Sequence, residues 1–380
     1  MPSRRFLTIL GILALVHVYV GCRLLPALPI PTGARVAGGI LLTVSFVSMP
    51  LGFFARSFRN RVLGDRVAAF GLFMMGFFSS LFVFTLLRDV VLAPTVLLVS
   101  ASQLPQTLSA SAVLAAALAL FATGVGFVNA RRRAAIVKVD VPIKNLPPAL
   151  EGFTIAQISD VHVGPTIKAP YVEAIVDAVN ALQADLIAVT GDMVDGSVRD
   201  LAGHTAPLAR LTARHGAYFV TGNHEYYSGE PAWTAEFKRL GLRVLMNEHV
   251  VLTHEGVRIV VAGVTDYSAH HFNPAQRSDP AVALANAPAD AAARILLAHQ
   301  PRSAPAAAAA GFDLQLSGHT HGGQFWPWNF FVRLQQPFTA GLHRLNDLWI
   351  YISRGTGYWG PPKRFGSPSE ITHLRLVRAS

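Results

Sequence analysis

The chain has 380 residues, 52% of them hydrophobic, with one cysteine and 32 Lys and Arg against 22 Asp and Glu, a formal charge of +10. A lone Cys22 excludes an intrachain disulfide and any thiolate metal cluster. The basicity belongs to the first third: residues 1–138 hold 13 basic and 2 acidic side chains, residues 139–380 hold 19 and 20, so the charge footprint of a nucleic-acid-binding domain is excluded.

In chain order, residues 6–21, 34–55, 67–87 and 108–130 are apolar runs close to the ~20 residues a spanning helix needs. They predict an all-α transmembrane domain of four helices over residues 1–134. Residues 90–99 are apolar but half as long and broken by Pro94, which suggests a re-entrant or interfacial piece. Four spans place Arg4, Arg5, Arg56, Arg59, Arg61, Arg66, Arg131, Arg132, Arg133 and Lys138 on one side, and Arg23, Arg35 and Arg88 on the other. By the positive-inside rule this expects a multi-pass protein of the inner (plasma) membrane, with its N-terminus and everything after Ala130 in the cytoplasm. An odd span count would reverse that, and Ser3-Arg4-Arg5-Phe6-Leu7 loosely resembles a twin-arginine export signal. His17 and Cys22 read as isolated polar residues near the interface, and Arg88-Asp89 as a charge pair at a helix end.

Residues 135–152, with Pro142, Pro147 and Pro148, read as a stiff linker to a second domain over residues 153–380. There the pattern becomes strand, loop, helix. Residues 153–159 form a buried strand followed by Asp160-Val161-His162, and residues 171–182 an amphipathic helix. The strand at 185–190 runs into Gly191-Asp192-Met193-Val194-Asp195, and that at 217–221 into Gly222-Asn223-His224-Glu225. Residues 250–262 read as a hairpin turning at Glu255-Gly256. A strand at 294–298 ends in His299, an Ala-rich helix covers 304–310, and the strand at 313–317 ends in Gly318-His319-Thr320-His321-Gly322-Gly323. Two further strands are expected at 349–353 and 371–377.

One strand ending in Asp or Asn is ordinary, because helix N-caps favour both. Five strands ending in metal-ligand side chains are not. Asp160, His162, Asp192, Asn223, His299, His319 and His321 comprise two carboxylates, one amide and four imidazoles. Such mixed oxygen and nitrogen donors suit manganese, iron, zinc or cobalt better than calcium or magnesium. Seven ligands overfill one ion; they fit two ions ~3.5–4 Å apart that share a carboxylate, a clamp for in-line displacement at phosphorus.

The series Asp160-x-His162, Gly191-Asp192-x-x-Asp195, Gly222-Asn223-His224-Glu225, His299 and Gly318-His319-x-His321 resembles the calcineurin-like metallophosphoesterase superfamily from about Phe153 onward. Gly322-Gly323-Gln324 and Gly355-Thr356-Gly357-Tyr358-Trp359-Gly360-Pro361-Pro362 are similar to its membrane-anchored subgroup, which includes UDP-2,3-diacylglucosamine pyrophosphatases of lipid A biosynthesis. The resemblance implies an α/β fold, a four-layer α-β-β-α sandwich of two mixed sheets. It implies two divalent ions, manganese first, with iron or zinc as alternatives: one held by Asp160, His162, Asp192 and His321, the other by Asp192, Asn223, His299 and His319, with Asp192 bridging. A water shared by two cations ionises near neutral pH and serves as nucleophile. His224 would then be the general acid, oriented by Asp195.

The expected activity is a metal-dependent phosphodiesterase or pyrophosphatase on a substrate linked to a membrane lipid. The alternatives are a generic phosphodiesterase or phosphomonoesterase, or a silent metal- or phosphate-binding module. Gly196-Ser197 stands where the phosphoprotein phosphatases of the superfamily carry Arg-Gly, which argues against protein phosphatase activity and leaves Arg354 or Arg364 to supply a cation. His270-His271 could approach the site, and residues 324–331, rich in aromatics, suit an acyl chain, the membrane interface or the core of the second sheet.

Overall fold

Apolar runs lacking solvent partners for their backbone fold as helices, which satisfy every N–H and C=O internally. The computed structural model describes residues 4–379; Ser3 of the export-like stretch lies outside the described residues. Four helices fall on the four expected runs: α1 (Arg4–Leu24), α2 (Thr32–Phe54), α3 (Arg61–Thr95) and α4 (Leu104–Arg131), each long and apolar enough to cross a membrane. These helices up to Val128, with residues 360–365, form one of two units, the last three residues of α4 belonging to the other. α3 is longer than expected: the stretch from residue 90, read as a separate re-entrant piece, continues it to Thr95. Pro94 falls in the last turn, so the bond that its missing N–H forfeits lies at the helix end and almost no helix follows it to be kinked.

Helices α2 and α3 approach closely where glycines allow it. A Cβ on Gly71 would collide with Ser48 O and stand 3.2 Å from Gly52 Cα, so a side chain there would drive the helices apart. Arg88 and Asp89 lie inside α3 rather than at its end. Asp89 accepts hydrogen bonds from Arg23 (2.7 and 3.0 Å), Tyr19 (2.7 Å) and Arg88 (3.1 Å), and Arg88 also donates to Ser111 Oγ and Leu108 O. His17 stacks on Phe78 at 3.5 Å, its ring nitrogens within hydrogen-bond distance of Leu13 O and Ser45 Oγ.

The second unit covers residues 129–359 and 366–380. Its elements are β1 (Ala135–Ile143), β2 (Thr154–Ile158), α5 (Ala169–Asn180), β3 (Leu186–Val189), α6 (Val198–Thr205), β4 (Ala217–Phe219), α7 (Asn223–Ser228), α8 (Glu230–Arg239), β5 (Arg243–Val244), β6 (Glu248–His254) and β7 (Val257–Gly263). There follow α9 (Pro280–Leu284), β8 (Ala293–Leu297), α10 (Ala304–Ala310), β9 (Leu314–Ser317), β10 (Gly341–Leu345), β11 (Leu348–Ile352) and β12 (Glu370–Arg378). The stretch expected as a linker is in fact strand β1, parallel to β12 from Ala135↔Glu370 to Ile143↔Arg378. It is an edge strand, where Pro142 costs no essential ladder bond.

Two six-stranded mixed sheets run in the orders β1-β12-β2-β3-β4-β5 and β10-β11-β9-β8-β7-β6. Ile155, Leu186 and Ala188 of the first sheet meet Ile259, Val261, Leu297 and Leu314 of the second in a shared core. Val172, Ile175, Val176 and Val179 of α5, with Trp233 and Phe237 of α8, cover the first sheet outside, while Ala304 and Ala307 of α10 cover the second. Each buried Val, Ile, Leu or Phe among them contributes roughly 1.5–3 kcal/mol relative to exposure. The result is the expected four layers. Because β2, β3 and β4 are mutually parallel, as are β8 and β9, the loops at their C-terminal ends leave each group at one end.

Candidate metal centre

Every sequence-predicted ligand sits two to four residues beyond a strand, and the loops are stitched together by backbone bonds. Asp160 N donates to Gly191 O, His162 N to Asp192 O, and Gly318 N to His299 O, at 2.9–3.1 Å. Asp160, His162, Asp192, His319 and His321 all have φ between +51° and +71°. For residues with a Cβ this left-handed region costs roughly 1–2 kcal/mol each, and five together aim side chains that an ordinary turn would not.

Interatomic distances bring six of the seven side chains together, all but Asn223. His162 Nε2 is 3.0 Å from His321 Nε2, which is 3.5 Å from Asp160 Oδ1. His299 Nε2 is 3.1 Å from Asp192 Oδ2 and 3.2 Å from His319 Nδ1. Asp192 Oδ2 lies 3.9 Å from His162 Nε2, so the bridging candidate reaches toward both groups. Spacings near 3–3.5 Å are those between neighbouring donors around an ion with bonds of roughly 2.1 Å. Asn223 Oδ1 is buried with no hydrogen-bond partner, a cost of ~1–3 kcal/mol unless a ligand supplies the contact. The donor set therefore fits divalent ions. Among the described residues the ligand clusters are Asp160/His162/His321, Asp192/His299/His319 and His162/Asp192/His224.

Outer contacts fix which ring nitrogen faces inward. His299 Nδ1 donates to Thr190 O at 2.7 Å, leaving Nε2 for the centre. Asp195 Oδ1 lies 2.5 Å from His224 Nδ1, as expected, and also 3.2 Å from His162 Nδ1, so one carboxylate orients two imidazoles. That leaves His224 Nε2 4.0 Å from Asp192 Oδ2. Burial opposes charge on the His224 ring, yet Asp192 and Asp195 raise its pKa to about 9. Burial also works against the Asp195 carboxylate, but His162 and His224 hold it well below the usual carboxylate range. Burial, with His299 alongside, lowers His319 to about 3, leaving its ring neutral as a ligand must be.

Glu225, present in the sequence motif but given no role there, is fully buried and accepts from Gly222 N (2.7 Å), Met193 N (2.8 Å) and Asp192 N (3.0 Å). It locks the Asp192 and Asn223 loops to each other. Tyr227 and Trp359 flank the His224 ring at 5.3 and 5.5 Å, Trp359 brought there by a bond from its N–H to Gln324 Oε1. No local pattern announces that long-range pair. Of the proposed cations, Arg364 is buried in the helical unit, its N–H donating to Gly126 O, whereas Arg354 pairs with buried Glu370 at 2.7 Å. Arg302, not singled out from sequence, lies close enough to help depress the His319 pKa, and its guanidinium sits 6.0 Å over the Tyr267 ring. His270 and His271 occupy a short turn beyond β7 and belong to none of the three ligand clusters among the described residues. In the aromatic run Phe325 is buried, while Trp328, Phe330, Phe331 and the following Leu334 are 41%, 66%, 53% and 80% exposed, so the run does not serve mainly as core.

The glycine before His319 is a steric requirement. A Cβ on Gly318 would collide with Ser159 Oγ and Asp160 Oδ2. We expect Gly318→Ala to displace the Asp160 carboxylate, at a cost of about 1–3 kcal/mol, lowering both the thermal midpoint and the bound metal. Unchanged values of both would show that the loop yields.

Residues 153–323 match the family model for calcineurin-like phosphoesterases. An uncharacterised metallophosphoesterase of Aquifex aeolicus is 33% identical over 63% of this chain and 91% of its own length. The chain belongs to the calcineurin-like metallophosphoesterases. It is also 39% identical, over 67% of its length, to a cattle protein described as a transmembrane protein with metallophosphoesterase domain, and 37% identical over 66% to an uncharacterised Helicobacter pylori metallophosphoesterase. The matches span 60% and 66% of those two relatives.

Proposed function

We propose that the protein hydrolyses a phosphodiester or pyrophosphate bond in a substrate carried by a membrane lipid, UDP-2,3-diacylglucosamine being the type. In this reading Asp160, His162, Asp192 and His321 hold one divalent ion and Asp192, Asn223, His299 and His319 the second, manganese being the first choice. Bound there, the two ions would supply Lewis acidity toward the phosphoryl oxygens and water of lowered pKa. The chain's own part is positional and protonic. Asp195 holds the His224 ring by Nδ1, which directs the Nε2 proton toward the site. As water oxygen bonds to phosphorus, the bond to the leaving oxygen breaks and that oxygen takes the Nε2 proton. Arg302 is the nearby cation suited to the remaining phosphate charge.

The observation that carries the lipid-linked substrate is the exposed run Trp328, Phe330, Phe331 and Leu334, beginning five residues after Gly323. A water-soluble diester gains nothing from such a surface, whereas acyl chains or the membrane interface do. The positive-inside count supports a cytoplasmic catalytic unit; a reporter fused to the C-terminus and active only in the periplasm would overturn that side. The substrate test compares UDP-2,3-diacylglucosamine in mixed micelles with its deacylated counterpart, before and after Trp326→Ala and Trp328→Ala. We expect the acylated substrate to be preferred by at least about tenfold, equivalent to ~1.4 kcal/mol, and the preference to shrink in the variants. Equal rates throughout would leave a generic phosphodiesterase.

A further inference from the structure

We propose that the substrate carries a nucleoside, and that its base stacks on an aromatic strip of Trp359, Tyr227 and Phe272 linked through His224. This rests on the phosphoester reading of the metal centre and adds the chemistry of the group that the phosphate bears. Every link of the strip has a distance. The Trp359 ring centre lies 5.5 Å from that of His224, His224 lies 5.3 Å from Tyr227, and Tyr227 lies 5.5 Å from Phe272. The pairs meet at 72°, 76° and 63°, edge to face rather than stacked, so no two of the rings hide their faces against each other. Trp359, Tyr227 and Phe272 are all exposed, which leaves aromatic surface open to a ligand beside the residue assigned to proton transfer.

The rings are held in place before any ligand arrives. Tyr227 stands three residues after His224 on α7, the spacing that puts two side chains on one helix face. Phe272 packs at 5.5 Å on the buried Tyr226 ring, and its N–H donates to Ala269 O at 2.9 Å. Gln324 clasps Trp359 twice: its Oε1 accepts from Trp359 N and its Nε2 donates to Trp359 O, both at 2.9 Å. Side chains ordered in advance give up little freedom on binding.

Chemistry selects the occupant. A base presents a bare π-face that any aromatic ring can stack on. A pyranose presents hydroxyls, whose hydrogen bonds with water are lost against rings of carbon. An acyl chain has its own exposed surface in Trp328, Phe330, Phe331 and Leu334. In a nucleoside 5′-phosphate the base follows the phosphate after a single sugar, which suits a strip that begins at the metal centre.

The test measures binding rather than turnover, by equilibrium dialysis of the full-length manganese-loaded protein in detergent against the hydrolysis-resistant 5′-thiophosphate of uridine and the 5-thiophosphate of ribose. Uridine 5′-thiophosphate is expected to bind at least about fivefold more tightly, the lower end of what a base stacked on an aromatic side chain contributes. Phe272→Ala and Tyr227→Leu should bring the two affinities together while leaving metal content and the affinity for ribose 5-thiophosphate as in the wild type; Tyr227→Phe should keep the difference. If Tyr227→Leu loses metal, Phe272→Ala, one ring removed from His224, decides alone. Equal affinities in the wild type would overturn the nucleoside subsite and leave the phosphoester reading intact, whereas binding of neither compound would overturn both. A preference unchanged in both variants would place the base elsewhere and overturn the strip. Glucose 1-thiophosphate binding as tightly as uridine 5′-thiophosphate would overturn it in favour of a pyranose.

Discussion

Asp192→Ala is expected to reduce hydrolysis to background and to strip metal from both positions, because one carboxylate is asked to touch both ions. Its Oδ2 lies 3.1 Å from His299 Nε2 and 3.9 Å from His162 Nε2, one imidazole from each proposed group. The residue is buried and its Oδ1 accepts from His224 N, so truncation also leaves an unpaired N–H worth ~1–3 kcal/mol. Asp192→Asn is the companion variant: it keeps the shape and loses the charge, separating failure to fold from failure to bind metal. Elemental analysis of the purified variants decides. Two ions per chain in Asp192→Ala would show that the carboxylate does not bridge.

His224→Ala is expected to behave in the opposite way, keeping its metals while losing about 10²–10⁴-fold in rate, the usual contribution of a general acid or base. The pH profile adds a readout that a structural role would not move. With its pKa raised to about 9 by Asp192 and Asp195 against burial, the imidazole is protonated throughout the neutral range and loses its proton as pH rises through that value. The wild-type rate should therefore fall on the alkaline side, and that limb should vanish in the variant. Loss of metal instead would make His224 a ligand, as its place in the His162/Asp192/His224 cluster permits.

The part of this site legible in the sequence was the part written locally. A buried strand running straight into Asp-x-His or Asn-His places the ligand next to its own support, so the run of residues carries both facts. Ala135–Ile143 was less legible, although its alternation of Val137, Val139, Val141 and Ile143 has the period of a strand. Three nearby prolines suggested a linker, and the partner, β12, lies more than 200 residues away. Glu225 shows a different limit: a carboxylate beside a histidine reads as a catalytic pair or a surface charge until its three backbone donors are in view. The α3 extension past Val90 was hidden because a proline after the first turn reads as a helix breaker, and here Pro94 stands in the last turn.

The five left-handed ligands bear on how long the protein survives without metal. Bound ions would offset part of their backbone cost and of the crowding of the carboxylates, since whatever binds the native state alone stabilises it by mass action. An unloaded chain would lack that contribution at the ends of β2, β3 and β9, which lowers the free energy of local opening there. Cellular metal supply would then set the abundance of the protein as well as its activity. Left-handed positions are also where glycine is favoured, so replacing His319 by Gly would relieve strain and yield a sturdier, inert chain. The histidines hold their places against the fold's own preference.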